Sequence, residues 1–197
     1  MPKIVDVEAT RRRIVEAAWD VIATEGIQSV SMRRVARAAG CTSGLITHHF
    51  TDKDELITSA YEAVLDEMIA DATRRVRDER SVGGKLWVAV EAIEPVTRRM
   101  QQLTIVLMNF WAQAAFNPAF AARCRQDYRR WRALISGIVQ AGIEGGELRD
   151  DADIRTLTDT ITLLSDGLSV GMTLTSNRYT KEHRRTILMA ILNPYLA

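Results

Sequence analysis

The side chains of this chain best suited to holding a polyanion cluster between Ser31 and Lys53. Arg33 carries a fork of parallel N–H donors that matches guanine O6 and N7, a pairing worth ~1–3 kcal/mol of discrimination. Ser31, Thr42 and Ser43 offer hydroxyls, and Thr47, His48 and His49 follow within one short segment. Lys53 adds an ammonium group beside a run of backbone amides. Leu45 is apolar among polar neighbours and can pack on a thymine methyl group. Reading a duplex needs both kinds of contact, phosphate for position and base edge for sequence. The adjacent histidines also suggest a metal, but neighbours on a helix point about 100° apart and the sequence places no third ligand beside them.

Two short helices and the start of a third must position these groups. Ser31 is placed to cap the first, whose Val35, Ala36 and Ala39 form a narrow apolar stripe. Gly40 falls where a helix end needs a left-handed residue. Thr42 is placed to cap the second, which turns Ile46 inward, ends near His48 and leaves Ser43 and Leu45 outward. Gly44 lets its backbone approach a partner closely. Lys53 opens the third behind an Asp52 cap. Two helices joined by a Gly-containing turn form the helix-turn-helix pattern, whose second helix can enter the major groove.

The run from Thr42 through Ser-Gly-Leu-Ile-Thr-His-His-Phe to Asp52-Lys-Asp-Glu-Leu resembles the DNA-binding domain of tetracycline-repressor-type (TetR family) transcriptional regulators. The resemblance covers roughly residues 8 to 60. It implies a base contact for Arg33 and phosphate contacts for His49 and Lys53. A tyrosine that touches phosphate in that family is replaced here by Thr47, which reaches less far. The opening Met1-Pro-Lys, Phe110-Trp to Asn117-Pro, Tyr128-Arg-Arg-Trp-Arg, Gly142 to Gly146 and Leu164-Ser-Asp-Gly-Leu are similar to the choline-responsive betaine-pathway repressors of the same family.

Composition narrows the alternatives. The chain has 197 residues, 47% of them hydrophobic, and a net charge of +1; this is globular composition. Residues 1–51 hold seven Lys/Arg and five Asp/Glu, a net of +2, so position matters more than total charge. No signal-peptide pattern opens the chain. The longest apolar run, Leu103–Phe116, contains Asn109 and Gln113 and falls short of the ~20 residues of a membrane span. A soluble, cytoplasmic protein without membrane association is expected. Cys41 and Cys124 show no metal or disulfide spacing. No G-x-S-x-G, H-E-x-x-H, P-loop or Glu-x-x-His pattern occurs, so an enzyme reading has no residues to carry it, and no cofactor or metal is called for.

The remaining pattern is helical throughout, giving an all-α fold. Helices are expected over Thr10–Thr24, over Lys53 to about Arg80, over Lys85–Glu94 before Pro95, over Thr97–Phe116, from Asn117-Pro118 to about Ile143, from Asp151 or Asp153 to Thr175, and from Thr180 to Pro194. Residues 1–55 are assigned to the helix-turn-helix domain and 56–197 to a regulatory and dimerisation domain, with Ser81–Gly84 as the natural linker. The helix from Lys53 is shared between them and would act as a lever.

In the second half, Ile161, Leu164, Leu168 and Met172 recur at nearly coiled-coil spacing, and Ile187 and Ile191 repeat the pattern in the last helix. Periodicity leaves intramolecular packing and a two-chain bundle both open; the family resemblance implies a homodimer through these helices. Trp87 and Glu91 share a helix face, with Glu94 one turn on, and Phe110, Trp111, Tyr128 and Trp131 complete an aromatic set. Rings beside carboxylates suit a cationic inducer. The sequence thus describes a ligand-responsive, DNA-binding repressor on a pseudo-palindromic operator, with a ligand-independent or partner-controlled regulator as the alternative.

Overall fold

The computed structural model describes Val7–Thr175 and Arg178–Ala197. The resemblance drawn from Met1-Pro-Lys lies outside the described residues. Among them are nine α-helices: α1 (Val7–Glu25), α2 (Met32–Ala38), α3 (Ser43–His49), α4 (Lys53–Asp78), α5 (Val82–Ala92), α6 (Arg98–Ala114), α7 (Pro118–Glu144), α8 (Ile154–Leu174) and α9 (Lys181–Leu192). Among the described residues, extended pairing is limited to one isolated bridge, Leu148 with Leu196. The all-α expectation holds. No described helix is long and apolar enough to cross a membrane.

The helix starts follow local chemistry. Ser31, Thr42, Ser81, Asp153 and Thr180 each accept a backbone N–H with the side chain, and Asn117 Oδ1 accepts from Ala119 N at 3.0 Å ahead of Pro118. Each such cap is worth about 1 kcal/mol. Asp153, not Asp151, caps α8. One boundary differs from expectation. The segment read as a linker, Ser81–Gly84, is the cap and first turn of α5. The paired glycines look like breakers, but the Ser81 cap and the burial of Val82 (2% exposed) outweigh their poor propensity.

The chain forms two compact units. The first takes the chain up to Asp66 together with Ile105–Ala121. Its core joins Ile14, Ala18 and Ile22 of α1, Val35 of α2, Ile46 of α3, Leu56 and Ala60 of α4, and Phe50. Trp19 Nε1 donates to the Ala60 carbonyl at 2.6 Å. Tyr61 of α4 stacks on Phe110 of α6 with ring centroids 3.8 Å apart, and Phe120 tilts against Phe110 at 4.6 Å. The second unit takes Glu67–Thr104 and Ala122–Ala197. Its core gathers Leu86, Trp87 and Val90 of α5, Trp131, Ile135 and Val139 of α7, Leu157 and Ile161 of α8, and Leu188 and Leu192 of α9. Gly142 of α7 presses on this core: a methyl group there would meet Val82 Cγ2 at 2.7 Å.

Candidate functional site

The turn between α2 and α3 closes by paired backbone bonds. Cys41 N donates to Ala36 O at 2.9 Å and Gly40 N to Arg37 O at 3.3 Å. This closure needs a left-handed residue, and Gly40 supplies it with φ 62°. Ser31 Oγ accepts from Arg34 N at 3.1 Å, and Thr42 Oγ1 accepts from Leu45 N at 3.2 Å. With Ile46 fully buried, α3 is fixed in rotation about its axis. Gly44 and His48, about 160–200° from Ile46 on the helical wheel, are exposed, as are Thr42, Ser43 and Thr47. Leu45, expected outward, is half-buried, as is His49, because each lies only one residue or three from the inward Ile46. Thr47 Oγ1 donates to the Gly44 carbonyl at 3.1 Å, which holds its short side chain on the helix. His48 and His49 meet edge-on at 5.4 Å.

Two adjacent arginines on α2 have different fates. Arg34 forks onto Glu25, with Nε to Oε2 at 3.1 Å and a second bond from Nη2 to Oε1. That hydrogen bond holds the Glu25 carboxyl below the usual carboxylate range. Arg33 is exposed and has no side-chain partner among the described residues. Of the basic run on α1, Arg11 is turned inward: it donates to Ser59 Oγ at 2.9 Å and lies 4.9 Å over the Phe50 ring. Arg12 and Arg13 stay exposed. At the start of α4, Asp52 Oδ1 accepts from Glu55 N at 2.8 Å. Glu55 reaches back to the N–H and hydroxyl of Thr51 at 2.6 and 2.7 Å, bonds that hold its carboxyl below the usual range. Lys53 is half-exposed beside this closed cap. The ten residues expected at a duplex thus all retain exposure: Ser31, Arg33, Thr42, Ser43, Gly44, Thr47 and His48 are exposed, and Leu45, His49 and Lys53 are half-buried.

The expected ligand residues are divided between the two units. Phe110 and Trp111 belong to the first unit; Trp87, Glu91, Tyr128 and Trp131 belong to the second. Phe110 is core of the first unit, held between Tyr61 and Phe120. Glu91 is not a free carboxylate: Arg75 donates to it, and Lys181 Nζ sits 2.8 Å from Oε1. Burial pushes its carboxyl up, but the Lys181 and Arg75 hydrogen bonds outweigh that and hold it low. Glu94, fully buried, faces Arg184 Nε at 2.9 Å. Sequence reasoning missed that pair, and also the bond from Tyr128 Oη to Asp166 Oδ2 at 2.6 Å. Trp131 is 7% exposed, and its indole N–H has no acceptor among the described residues.

The residues assigned to the dimer also divide. Ile161 and Leu168 are buried in this chain's own core, so they face inward rather than toward a partner. Leu164, Met172, Ile187 and Ile191 are half-buried. The exposed apolar side of α8 carries Leu163 and Leu174 instead, 66% and 70% exposed.

Comparison with known proteins places this arrangement. Residues 85–197 match the family described as BetI-type transcriptional repressor, C-terminal. Residues 14–60 match bacterial regulatory proteins of the tetR family. The HTH-type transcriptional regulator PksA of Bacillus subtilis (strain 168) is 28% identical over 206 residues, covering 96% of this chain and 91% of its own. Two solved structures share the fold. A transcriptional regulator from Saccharomonospora viridis in complex with choline has a TM-score of 0.83 at 23% identity, covering 94% of this chain and 96% of that one. FadR from Bacillus subtilis in complex with stearoyl-CoA has a TM-score of 0.77 at 18% identity, covering 94% and 97%. The chain therefore belongs to the tetR family of bacterial regulatory proteins: it is a transcriptional regulator with a helix-turn-helix domain ahead of a BetI-type repressor C-terminal domain.

Proposed function

We propose that this regulator is a homodimeric repressor that holds a pseudo-palindromic operator and leaves it when a small molecule binds its second half. Residues 1–55 read the duplex and residues 56–197 dimerise and sense. The observation that carries the reading is the outward set on α2 and α3, with Arg33 unpartnered while its neighbour Arg34 is tied to Glu25. In this reading Arg33 contacts a guanine edge, Gly44 lets α3 approach, and Thr42, Ser43, Thr47, His48, His49 and Lys53 share the phosphate and base contacts along the groove. Leu45, half-buried, offers only its outer edge to a thymine methyl. One unit has a small footprint; two, on half-sites ~34 Å apart or a little more, provide useful affinity.

The dimer face is reassigned. Leu163, Gly167, Val170 and Leu174 fall along one side of α8 at spacings of 4, 3 and 4. Leu163, Gly167 and Leu174 are exposed, and a methyl group at Gly167 would meet nothing within 4 Å. An exposed apolar stripe with a small residue at its centre suits close packing against a second copy, while Ile161 and Leu168 support it from behind.

The solved neighbours bind ligands as unlike as choline and stearoyl-CoA, so the inducer class follows from this chain's own side chains. Support for a cationic inducer lies in Trp87 and Trp131. Against it, Glu91 is already neutralised by Arg75 and Lys181. The unpartnered Trp131 N–H favours a molecule that also brings a hydrogen-bond acceptor. By linkage, an inducer that lowers DNA affinity must itself bind less tightly to the DNA complex by the same factor. α4 runs unbroken from Lys53 to Asp78 and is the route proposed for that coupling.

The test is binding of the purified protein to DNA from just upstream of its own coding region, under a salt titration and with competitor DNA. Binding that survives competitor supports the reader, and loss of the complex on adding choline supports the cationic inducer. Binding swept off by competitor at every salt concentration removes the operator reading for that DNA.

A further inference from the structure

α7 carries Arg123, Arg125, Arg129, Arg130 and Arg132 within ten residues. Three of the five have acidic partners inside the second unit. Asp127, 2% exposed, takes Arg123 through Nε to Oδ2 at 2.9 Å and lies 3.5 Å from Arg130 Nη1. Arg132 pairs with Asp159 of α8. Arg129 is exposed and makes no hydrogen bond or ion pair among the described residues. Arg155, in the first turn of α8, bonds to Asp153 through its backbone N–H at 3.0 Å, while its guanidinium acts on that carboxylate only through its charge.

Arg129, Arg132 and Ser136 of α7 line an open groove of about 650 Å³ together with Asp153, Arg155 and Thr158 at the start of α8. That size is within the range of small-molecule sites, ~300–1,000 Å³. Asp153 is the one acid in the lining, and its carboxylate is already held by Arg155 N and Thr156 Oγ1. With Arg132 paired to Asp159, Arg129 and Arg155 against the one occupied carboxylate of Asp153 leave the groove positive.

Thr158 sets this groove apart from an ordinary charged surface. On α8 the hydroxyls of Thr160, Thr162, Ser165 and Thr173 bond back to the carbonyl four residues earlier. Thr156 donates to Asp153, and Ser169 to Ile93 O. Thr158, 2% exposed, alone among the α8 hydroxyls has no partner among the described residues. A buried hydroxyl without a partner is rare in a folded protein unless something else satisfies it.

We propose that this groove binds the phosphate group of a small phosphorylated molecule, held by Arg129 and Arg155 with the Thr158 hydroxyl donating to it. A phosphate monoester fits on three counts. It carries about −1.5 to −2 charge at neutral pH, which two unpaired guanidiniums match and a single carboxylate does not. Its oxygens accept the two-pronged donors of arginine. A spare oxygen remains for Thr158. The bound group would tie α7 to α8, giving the second unit a second effector position that does not depend on how the first unit reads DNA. The same chemistry could come from a free organic phosphate or from the phosphate backbone of a duplex; we assign the free molecule, because every lining residue lies in the second unit.

The test is isothermal titration of the full-length protein with pyrophosphate, with sodium chloride held at matched ionic strength. One saturable site per chain is expected, weakened by about tenfold or more in Arg129→Gln and in Arg155→Gln. Thr158→Val removes the hydroxyl and should weaken binding by about threefold or more without lowering Tm, since that hydroxyl makes no bond in the free protein. Both arginines are exposed, so circular dichroism of the variants should match the wild type. The same variants are then carried through a salt titration of duplex binding, whose slope should not change. Absence of saturable pyrophosphate binding, or equal binding by the Arg129→Gln/Arg155→Gln double variant, overturns the proposal. A duplex salt slope lowered by about one per arginine removed also overturns it, since it places backbone phosphate in the groove.

Discussion

Replacing Arg184 with methionine removes a cation from the interior of the second unit and leaves Glu94 facing an apolar chain. Glu94 is fully buried and Arg184 is 5% exposed, with Nε 2.9 Å from Oε1. Arg184 Nη1 also donates to the Tyr179 carbonyl at 2.7 Å. Neither Glu94 oxygen nor Arg184 Nε finds a well-aligned hydrogen bond among the described residues, so charge holds this pair more than geometry does. Burial pushes the Glu94 carboxyl up, and Arg184 pulls against it. Stranding one partner of a buried pair costs about 3–5 kcal/mol. At ~2–4 °C per kcal/mol for a chain of this size, Tm falls by roughly 6–20 °C near pH 8.

The carboxyl escapes part of this penalty by taking up a proton. A group whose folded pKa lies above its unfolded value binds more protons in the folded state, so its contribution to stability is full below the unfolded value and is lost as pH rises through the folded one. The deficit of Arg184→Met should therefore shrink from pH 8 to pH 5. Replacing both residues, Glu94→Leu with Arg184→Met, should recover most of the loss, since swapping a whole buried pair for apolar groups is often neutral. Urea unfolding followed by circular dichroism, at fixed protein concentration and several pH values, measures each step. A deficit under ~1 kcal/mol at pH 8, or one that does not change with pH, would refute the reasoning.

Phe110→Ala should cost about 3–5 kcal/mol in thermal or urea unfolding, because the ring stacks on Tyr61 and lies 1% exposed; a cost near zero would mean that the first unit does not depend on this stack. Gly142→Ala should destabilise by ~1–3 kcal/mol, since its methyl group meets Val82 Cγ2 at 2.7 Å and Leu148 Cδ1 at 3.1 Å, and wild-type stability would show that α7 can shift freely there. Arg33→Ala should relax base preference at one operator position, whereas Lys53→Ala should weaken all duplexes alike and lower the salt slope by about one. Equal effects of both variants on every duplex tested would remove the base contact assigned to Arg33.

What could be read from the sequence was mostly local. Ser31, Thr42, Asp153 and Thr180 cap their helices because each needs only an amide two or three residues away. Gly40 was legible for the same reason: a left-handed turn depends on the residue that makes it. Most of the outward face of α3 followed once Ile46 pointed inward, but Leu45, next to Ile46, is half-buried. What escaped depended on partners distant in sequence. Beside Trp87, Glu91 reads as a free carboxylate, and nothing in its own helix announces Arg75 and Lys181. Phe110 reads as a pocket aromatic, but its end of α6 packs with Tyr61 of α4. The Ile161/Leu168 spacing is the same whether a helix packs on its own chain or on a second copy, so the period could not assign a side. The glycines of α5 showed the converse, a local signal overruled by burial of Val82 and the Ser81 cap.

The most direct test of the proposed two-fold reader is a hydroxyl-radical footprint of the protein on a duplex selected from a random library. Two protected half-sites with inverted sequence, ~34 Å apart or a little more, are predicted, with base preference in each half-site relaxed by Arg33→Ala. A single protected patch without inverted symmetry, or a selected sequence that Arg33→Ala reads as the wild type does, would contradict it.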